Sequence, residues 1–122
     1  MAQLTPPPVQ GVAPNEYVVL FDFDKSNINQ AGNAVLEQAL ADARKMGSVR
    51  ISATGHADRS GSEDYNMALS LRRADSVREA LIAGGVSADT ITVAGRGESE
   101  PAVPTADGVK EQANRRVVIV LQ

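Results

Sequence analysis

Two long stretches of helical period, set between short β-branched runs, constrain this chain more than anything else in it. In the first, Val35, Leu36, Ala39, Leu40, Ala43 and Met46 recur at spacings of three and four, which gathers them on one side of a helix. Asn27 or Asn29 can accept the free N–H groups at its start, and Gly47 supplies its stop. The second stretch runs from a cap at Ser60 or Ser62 to Gly84 and Gly85, with Glu63 and Asp64 in its positive first turn and Tyr65, Leu69, Val77 and Leu81 as its inner stripe. Ahead of the first helix, residues 17–23 are β-branched and aromatic with apolar neighbours in succession, the pattern of an inner strand or one covered on both faces. Between the helices, Val49, Ile51 and Ala53 alternate with Ser48, Arg50, Ser52 and Thr54, the period of a half-buried strand, and a turn-rich loop follows over 55–61. Residues 90–94 and 116–121 read as two more strands, separated by a long loop over 95–112. The predicted order is β-α-β-α-β-β. Two β-α-β units sharing one sheet cross over with the same hand, so the expected fold is an α/β two-layer sandwich, a mixed sheet with two main helices packed on one face.

A chain of 122 residues can form one core and bury roughly two thirds of its unfolded surface. Residues 1–14 hold Pro6, Pro7, Pro8 and Pro14 and no periodicity, so they are expected to be an extended tether ahead of a domain over 15–122. The net charge of −3 and an aromatic share of 3% offer neither the field nor the stacking surface that nucleic acid requires. With no Cys there is no disulfide, no thiolate nucleophile and no lipid attachment through an N-terminal Cys. With His56 as the single His, a metal cluster or a Ser/His/Asp triad has one possible member, and no metal or cofactor is expected. No apolar run approaches the roughly 18 residues of a spanning helix. Met1 is not followed by a basic and then apolar signal stretch, so an exported protein is expected here in its mature form.

The segment from His56 to Ala74 concentrates charge and turn chemistry. A solvated helix face beside a capping loop is the ordinary reading of such a run. Asn66 and Arg73 are seven apart, hence on one helix face two turns from each other, with Leu69 beside them. The ordered set of Phe23, Asp24, Lys25 and Ile28, then Gly55, His56, Ala57 and Asp58, then Tyr65, Asn66, Leu69, Ser70, Arg72, Arg73 and Ala74, resembles the OmpA-like peptidoglycan-binding domain. Gly95, Glu100, Pro101 and Ala102 in the late loop and Asn114, Arg115, Arg116 and Val117 at the last strand continue the resemblance across nearly the whole domain.

What the resemblance implies is a periplasmic domain of an outer-membrane-associated protein, membrane-anchored outside this chain, that binds peptidoglycan without cutting it. Its expected ligand is the diaminopimelate of the stem peptides, and other envelope proteins are possible partners. One end of diaminopimelate carries an ammonium and a carboxylate on the same carbon, so a receptor needs an acceptor-only anion and a planar cationic fork. Asp58 would take the ammonium and Arg73 the carboxylate. Lysine-type stem peptides lack this zwitterionic end. Arg73 lies roughly 16 Å along its helix from the 57–62 loop, so the two can meet only if the second strand ends alongside that helix.

By the same resemblance Phe23 and Asp24 line the ligand groove, although Phe23 is equally a core aromatic by its chemistry, and Asn66 and Leu69 are further groove candidates. His56 reads as a hydrogen-bonded structural residue. Arg115 and Arg116 either flank the groove or pair with acids near the strand ends. Gly95, Arg96 and Gly97 lack the Lys and helix start of a phosphate loop. Two rival classes stand beside this reading. Asp22 and Asp24 after an apolar strand have the spacing of the first motif of haloacid-dehalogenase-type phosphatases, but no later acidic pair follows a strand to hold magnesium. A pure protein-interaction module of the envelope is the other.

Overall fold

Alternation decides which way each strand faces. Val19, Phe21, Ile51, Ala53, Val117, Ile119 and Leu121 all turn to one side and are almost completely buried. In the computed structural model, which describes residues 15–47 and 49–122, these side chains form one cluster with Leu36, Ala43, Val77 and Leu81 from the two helices. The elements are β1 (Glu16–Leu20), α1 (Gln30–Met46), β2 (Ile51–Gly55), α2 (Glu63–Ala83), β3 (Ile91–Gly95) and β4 (Arg116–Leu121), with 3-10 turns at Ala88–Thr90 and Gln112–Asn114. The tether assigned to residues 1–14, and Ser48 of the predicted second strand, lie outside the described residues.

The sheet order is β1-β4-β2-β3. β4 runs antiparallel to both its neighbours, and β2 is parallel to β3. The mixed sheet with two helices on one face is as expected. Asn29 caps α1 by accepting from the Gly32 N–H at 2.8 Å, and Ser62 caps α2 by accepting from the Tyr65 N–H at 3.1 Å.

Three expectations need correction. The first strand ends at Leu20 and lies at the sheet edge, because β4 inserts between it and β2; its apolar residues on the second face, Val18 and Leu20, are only half-buried. Phe21 is the core aromatic, whereas Phe23 is 45% exposed. Tyr65 and Met46 also lie outside the core stripes. At about 100° per residue, the buried side of α2 is centred on Asn66, Arg73 and Val77, which carries Tyr65 out toward solvent, and Met46 sits at the border of its stripe in the last turn of α1.

Candidate functional site

The path of the chain past the formal end of β2 builds the site. The His56 N–H donates to the Arg116 carbonyl at 2.7 Å and the Ala57 N–H to the Gly97 carbonyl at 2.8 Å, so the strand pairing continues and delivers Asp58 beneath the loop that leads to α2. Gly55 makes this possible. A Cβ there would stand 1.9 Å from the backbone oxygen of Ser70, so β2 ends directly against the middle of α2, as contact between Asp58 and the Arg73 region demands.

Asp58 is 3% exposed and holds four hydrogen bonds. Its Oδ1 accepts from the Ser60 hydroxyl at 2.6 Å and the Ser60 N–H at 3.2 Å, and its Oδ2 accepts from Arg115 Nη1 at 2.9 Å and the Glu111 N–H at 3.1 Å. Burial alone would raise its pKa. The bonds from Ser60, Arg115 and Glu111 outweigh burial and hold the carboxyl below its usual range, so it is an anion at neutral pH. The carboxylate is ion-paired with Arg115, at 2.9 Å, which decides between the two readings of that arginine. Arg116 faces away from this pair and donates through Nη2 to the Glu100 carbonyl at 3.1 Å.

Arg73 is completely buried. Its Nε donates to the Lys25 carbonyl at 2.8 Å, Nη1 to the His56 carbonyl at 3.0 Å and Nη2 to the Asp22 carbonyl at 3.3 Å, and the guanidinium lies over the Phe21 ring at 5.4 Å. Burial pulls its pKa down to about 10, against the opposing attraction of Asp58, so it keeps its charge at neutral pH. Arg73 thus ties the 22–25 loop, the end of β2 and α2 together from below.

Asp58 lines a cavity of about 350 Å³. Five of the residues singled out in the sequence line it, namely Phe23, Asp24, Asp58, Asn66 and Leu69, together with Ser60, Ser62 and Tyr65; Arg73 is not in its wall. Asp24 has φ of 58°, the left-handed region that costs a non-glycine residue energy, and its carboxylate accepts from the Tyr65 hydroxyl. That bond raises the Tyr65 pKa. Lys110 Nζ stands 4.2 Å from the centroid of the Phe23 ring, a cation–π contact to one of the lining residues. Asn66, 2% exposed, donates through Nδ2 to the Gly61 carbonyl at 3.2 Å and to Glu98 Oε1 at 2.9 Å.

Asp22, the other candidate acid of the phosphatase reading, accepts from Asn29 Nδ2 at 3.4 Å and is exposed. Among the described residues, no group of three His, Asp or Glu side chains is placed to hold a metal. His56 is buried with its ring on the opposite side of the sheet, and its hydrogen bonds run through its backbone rather than its ring Nδ1. Burial, then Arg116 and Arg96, push its pKa down to about 4. The lining residues that were not among the sequence's site candidates are Ser60, Gly61, Ser62 and Tyr65, with Lys110 against Phe23 beside them. Ser60 two positions after an Asp is a local signal for a side-chain turn; the arrival of Lys110 over Phe23 has no local signal.

The OmpA family model matches residues 20–115. An outer membrane protein of Gluconacetobacter diazotrophicus is 38% identical over 111 residues, 86% of this chain and 29% of that protein. Outer membrane protein A of Yersinia pseudotuberculosis is 44% identical over 100 residues, 78% of this chain and 28% of its own length. The chain therefore spans less than a third of these curated relatives. Among solved structures, the peptidoglycan-associated lipoprotein from Burkholderia pseudomallei superposes with a TM-score of 0.79 at 30% identity, covering 87% of this chain and 90% of that one. The cell wall anchor of the type VI secretion system from Pseudomonas aeruginosa gives 0.69 at 27% identity, covering 88% and 81%. No helix among the described residues is long and apolar enough to cross a membrane.

Proposed function

The chain belongs to the OmpA family, and on that premise we propose that it binds peptidoglycan noncovalently through the zwitterionic end of diaminopimelate. The observation that carries the reading is a cavity lined by the buried anion Asp58, which is ion-paired with Arg115 and near enough to Arg73 for their charges to attract. A zwitterion presents one cation and one anion a few ångströms apart, and this cluster presents the complementary set.

Asp58 lines the cavity and is already an anion. The Ser60 hydroxyl that bonds Oδ1 can turn aside by rotation about one bond, so a ligand ammonium takes its place without disturbing the Arg115 pair on Oδ2. Arg73 uses three of its five N–H donors on backbone carbonyls, which leaves donor capacity for the ligand carboxylate. Arg73 is completely buried and bonded to the Lys25 and Asp22 carbonyls, so a ligand carboxylate reaches it only if the 22–25 loop shifts. Phe23, Asn66 and Leu69 supply the walls, and Asp24 a second carboxylate at the mouth. Each charge-assisted bond contributes about 1.5–3 kcal/mol, enough for modest affinity at a single site. A wall polymer offering many copies converts modest affinity into firm attachment. In this proposal residues 15–122 are the wall-binding domain in the periplasm, residues 1–14 the tether, and no reaction is catalysed.

Retention on isolated diaminopimelate-type sacculi tests it. Asp58→Ala is expected to lower retention at least about tenfold, the equivalent of about 1.4 kcal/mol, with a circular dichroism spectrum to show that the variant is folded. Retention equal to that of the unaltered protein refutes the site. Equal retention on lysine-type sacculi refutes the specificity.

A further inference from the structure

The charged residues in the wall of the cavity that Asp58 lines are both acids, Asp24 and Asp58. Arg115 is engaged by Asp58, and Arg73, held by three backbone carbonyls, is assigned to the carboxylate of the zwitterion. A stem peptide carries further carboxylates beyond that end, and each needs a cation of its own. We propose that Lys110 is a specificity-determining residue of this site, the cation that takes a second carboxylate of the stem peptide. The inference rests on the diaminopimelate reading and deepens it from one end of the ligand to the chain attached to it.

Lys110 is held beside the cavity by its neighbours along the chain. The Gly108 N–H donates to the Arg59 carbonyl at 2.7 Å and the Glu111 N–H to Asp58 Oδ2 at 3.1 Å, so the chain is pinned to the 58–59 segment on both sides of the lysine. Arg59 adds a third tie by pairing with Asp107 at 3.3 Å. Two covalent bonds separate the Glu111 nitrogen from the Lys110 Cα, which therefore lies at most about 6 Å from the Asp58 carboxylate. From there the side chain extends to the Phe23 ring, where Nζ stands 4.2 Å from the centroid. The ring attracts the charge without supplying a counter-ion, and among the described residues the ammonium is in no ion pair. Lys110 is exposed, so its N–H donors are open to a ligand.

Two carboxylates of the stem peptide have the required chemistry. One sits on the far carbon of the same diaminopimelate, about 7 Å from the ammonium that Asp58 takes, at about 1.2 Å per bond of extended chain. The other is the α-carboxylate of the preceding glutamate, which is joined through its γ-carboxyl, and it lies up to about 13 Å from that ammonium. The flexible stem of Lys110 keeps its own ammonium within about 12 Å of the Asp58 carboxylate, so either lies in its range. Amidation of a carboxylate keeps its size and shape and removes its charge, which separates the two sources. An exposed pair of this kind changes affinity by about three- to fivefold.

Isothermal titration of the full chain tests the proposal with the N-acetylated stem tripeptide, the same tripeptide amidated at the glutamate carboxylate, and the same amidated at the far carboxylate of diaminopimelate. One of the two amidations is expected to weaken binding about three- to fivefold in the unaltered protein and to have no effect in Lys110→Gln, and that one identifies the carboxylate. Lys110→Arg, which keeps the charge, is expected to keep the discrimination. Equal affinity of the unaltered protein for all of these ligands overturns the role of Lys110 and leaves the diaminopimelate reading standing, as does a discrimination that persists in Lys110→Gln. A tripeptide with lysine in place of diaminopimelate that binds as tightly as the parent, with the discrimination by Lys110 intact, leaves this proposal standing and overturns the diaminopimelate reading. Binding of none of the peptides overturns both.

Discussion

α1 and α2 pack on the same face of the same sheet and bury opposite chemistry. α1 turns Gly32, Leu36, Ala39 and Ala43 inward, without a polar side chain among them. The C-terminal half of α2 does likewise with Val77 and Leu81, but its N-terminal half buries Asn66, Ser70 and Arg73. Buried polar groups are tolerable only when bonded, and each of these is. Asn66 holds Gly61 and Glu98, Ser70 Oγ donates to the Met67 carbonyl at 2.8 Å and accepts from the Gly97 N–H at 2.9 Å, and Arg73 holds three carbonyls. The difference shows where a scaffold gives way to a site: α1 could be replaced by any helix of similar shape, whereas half of α2 is specified group by group.

Arg73→Met puts this contrast under the heaviest load. A neutral side chain of similar length leaves the carbonyls of Asp22, Lys25 and His56 without their donor, and urea unfolding should show a loss of about 4 kcal/mol together with loss of sacculus retention. Leu36→Ala in α1 should cost about 3 kcal/mol and leave retention intact wherever the variant is folded. A near-neutral Arg73→Met would show that the polar half of α2 is ordinary packing.

His56 carries the comparison through to the far side of the sheet. Its pKa falls from 6.5 unfolded to about 4 folded, so between those values the unfolded chain binds more protons. Stability is therefore full above pH 6.5 and declines as pH falls toward 4, by on the order of 3 kcal/mol. Urea midpoints measured across this window should lose most of that slope in His56→Gln; an unchanged slope would assign the dependence to another group.

Two smaller contrasts follow. Gly55→Ala drives a Cβ into the backbone of α2 and should cost about 2–3 kcal/mol in thermal unfolding. Gly47→Ala at the end of α1 meets nothing within 4 Å and pays only for its left-handed φ of 78°, about 1 kcal/mol. The caps should be nearly equal, with Asn29→Ala and Ser62→Ala each costing about 1 kcal/mol. Of the two, only Ser62→Ala should also weaken wall binding, since Ser62 lines the cavity.

Most of the architecture was legible. Helix period, caps and the alternation in β2 and β4 arise from neighbours within a few residues, and the elements formed where those signals lie. The failures share a cause. An inner strand and an edge strand can have the same apolar run, so residues 17–23 could not reveal that β4 would separate β1 from β2. The stripe of α2 was placed by its apolar members, which pointed to Tyr65; the burial of Asn66, Ser70 and Arg73 centres the inner face roughly a tenth of a turn away from that stripe.

For the site, the sequence by itself determined the chemical inventory and the local turns: an acid at the end of β2, a helix cap at Ser60 or Ser62, and Asn66 and Arg73 on one face of the helix that follows. Only the tertiary structure decided the partners. Asp58 pairs with Arg115, 57 residues along the chain, because β4 lies beside β2, and Arg73 is held by carbonyls of Asp22, Lys25 and His56 rather than by a carboxylate. Periodicity and capping are local energies that a linear string records. The choice of counter-ion is set by strand order and by which groups lose water together, and those exist only once the chain has closed on itself.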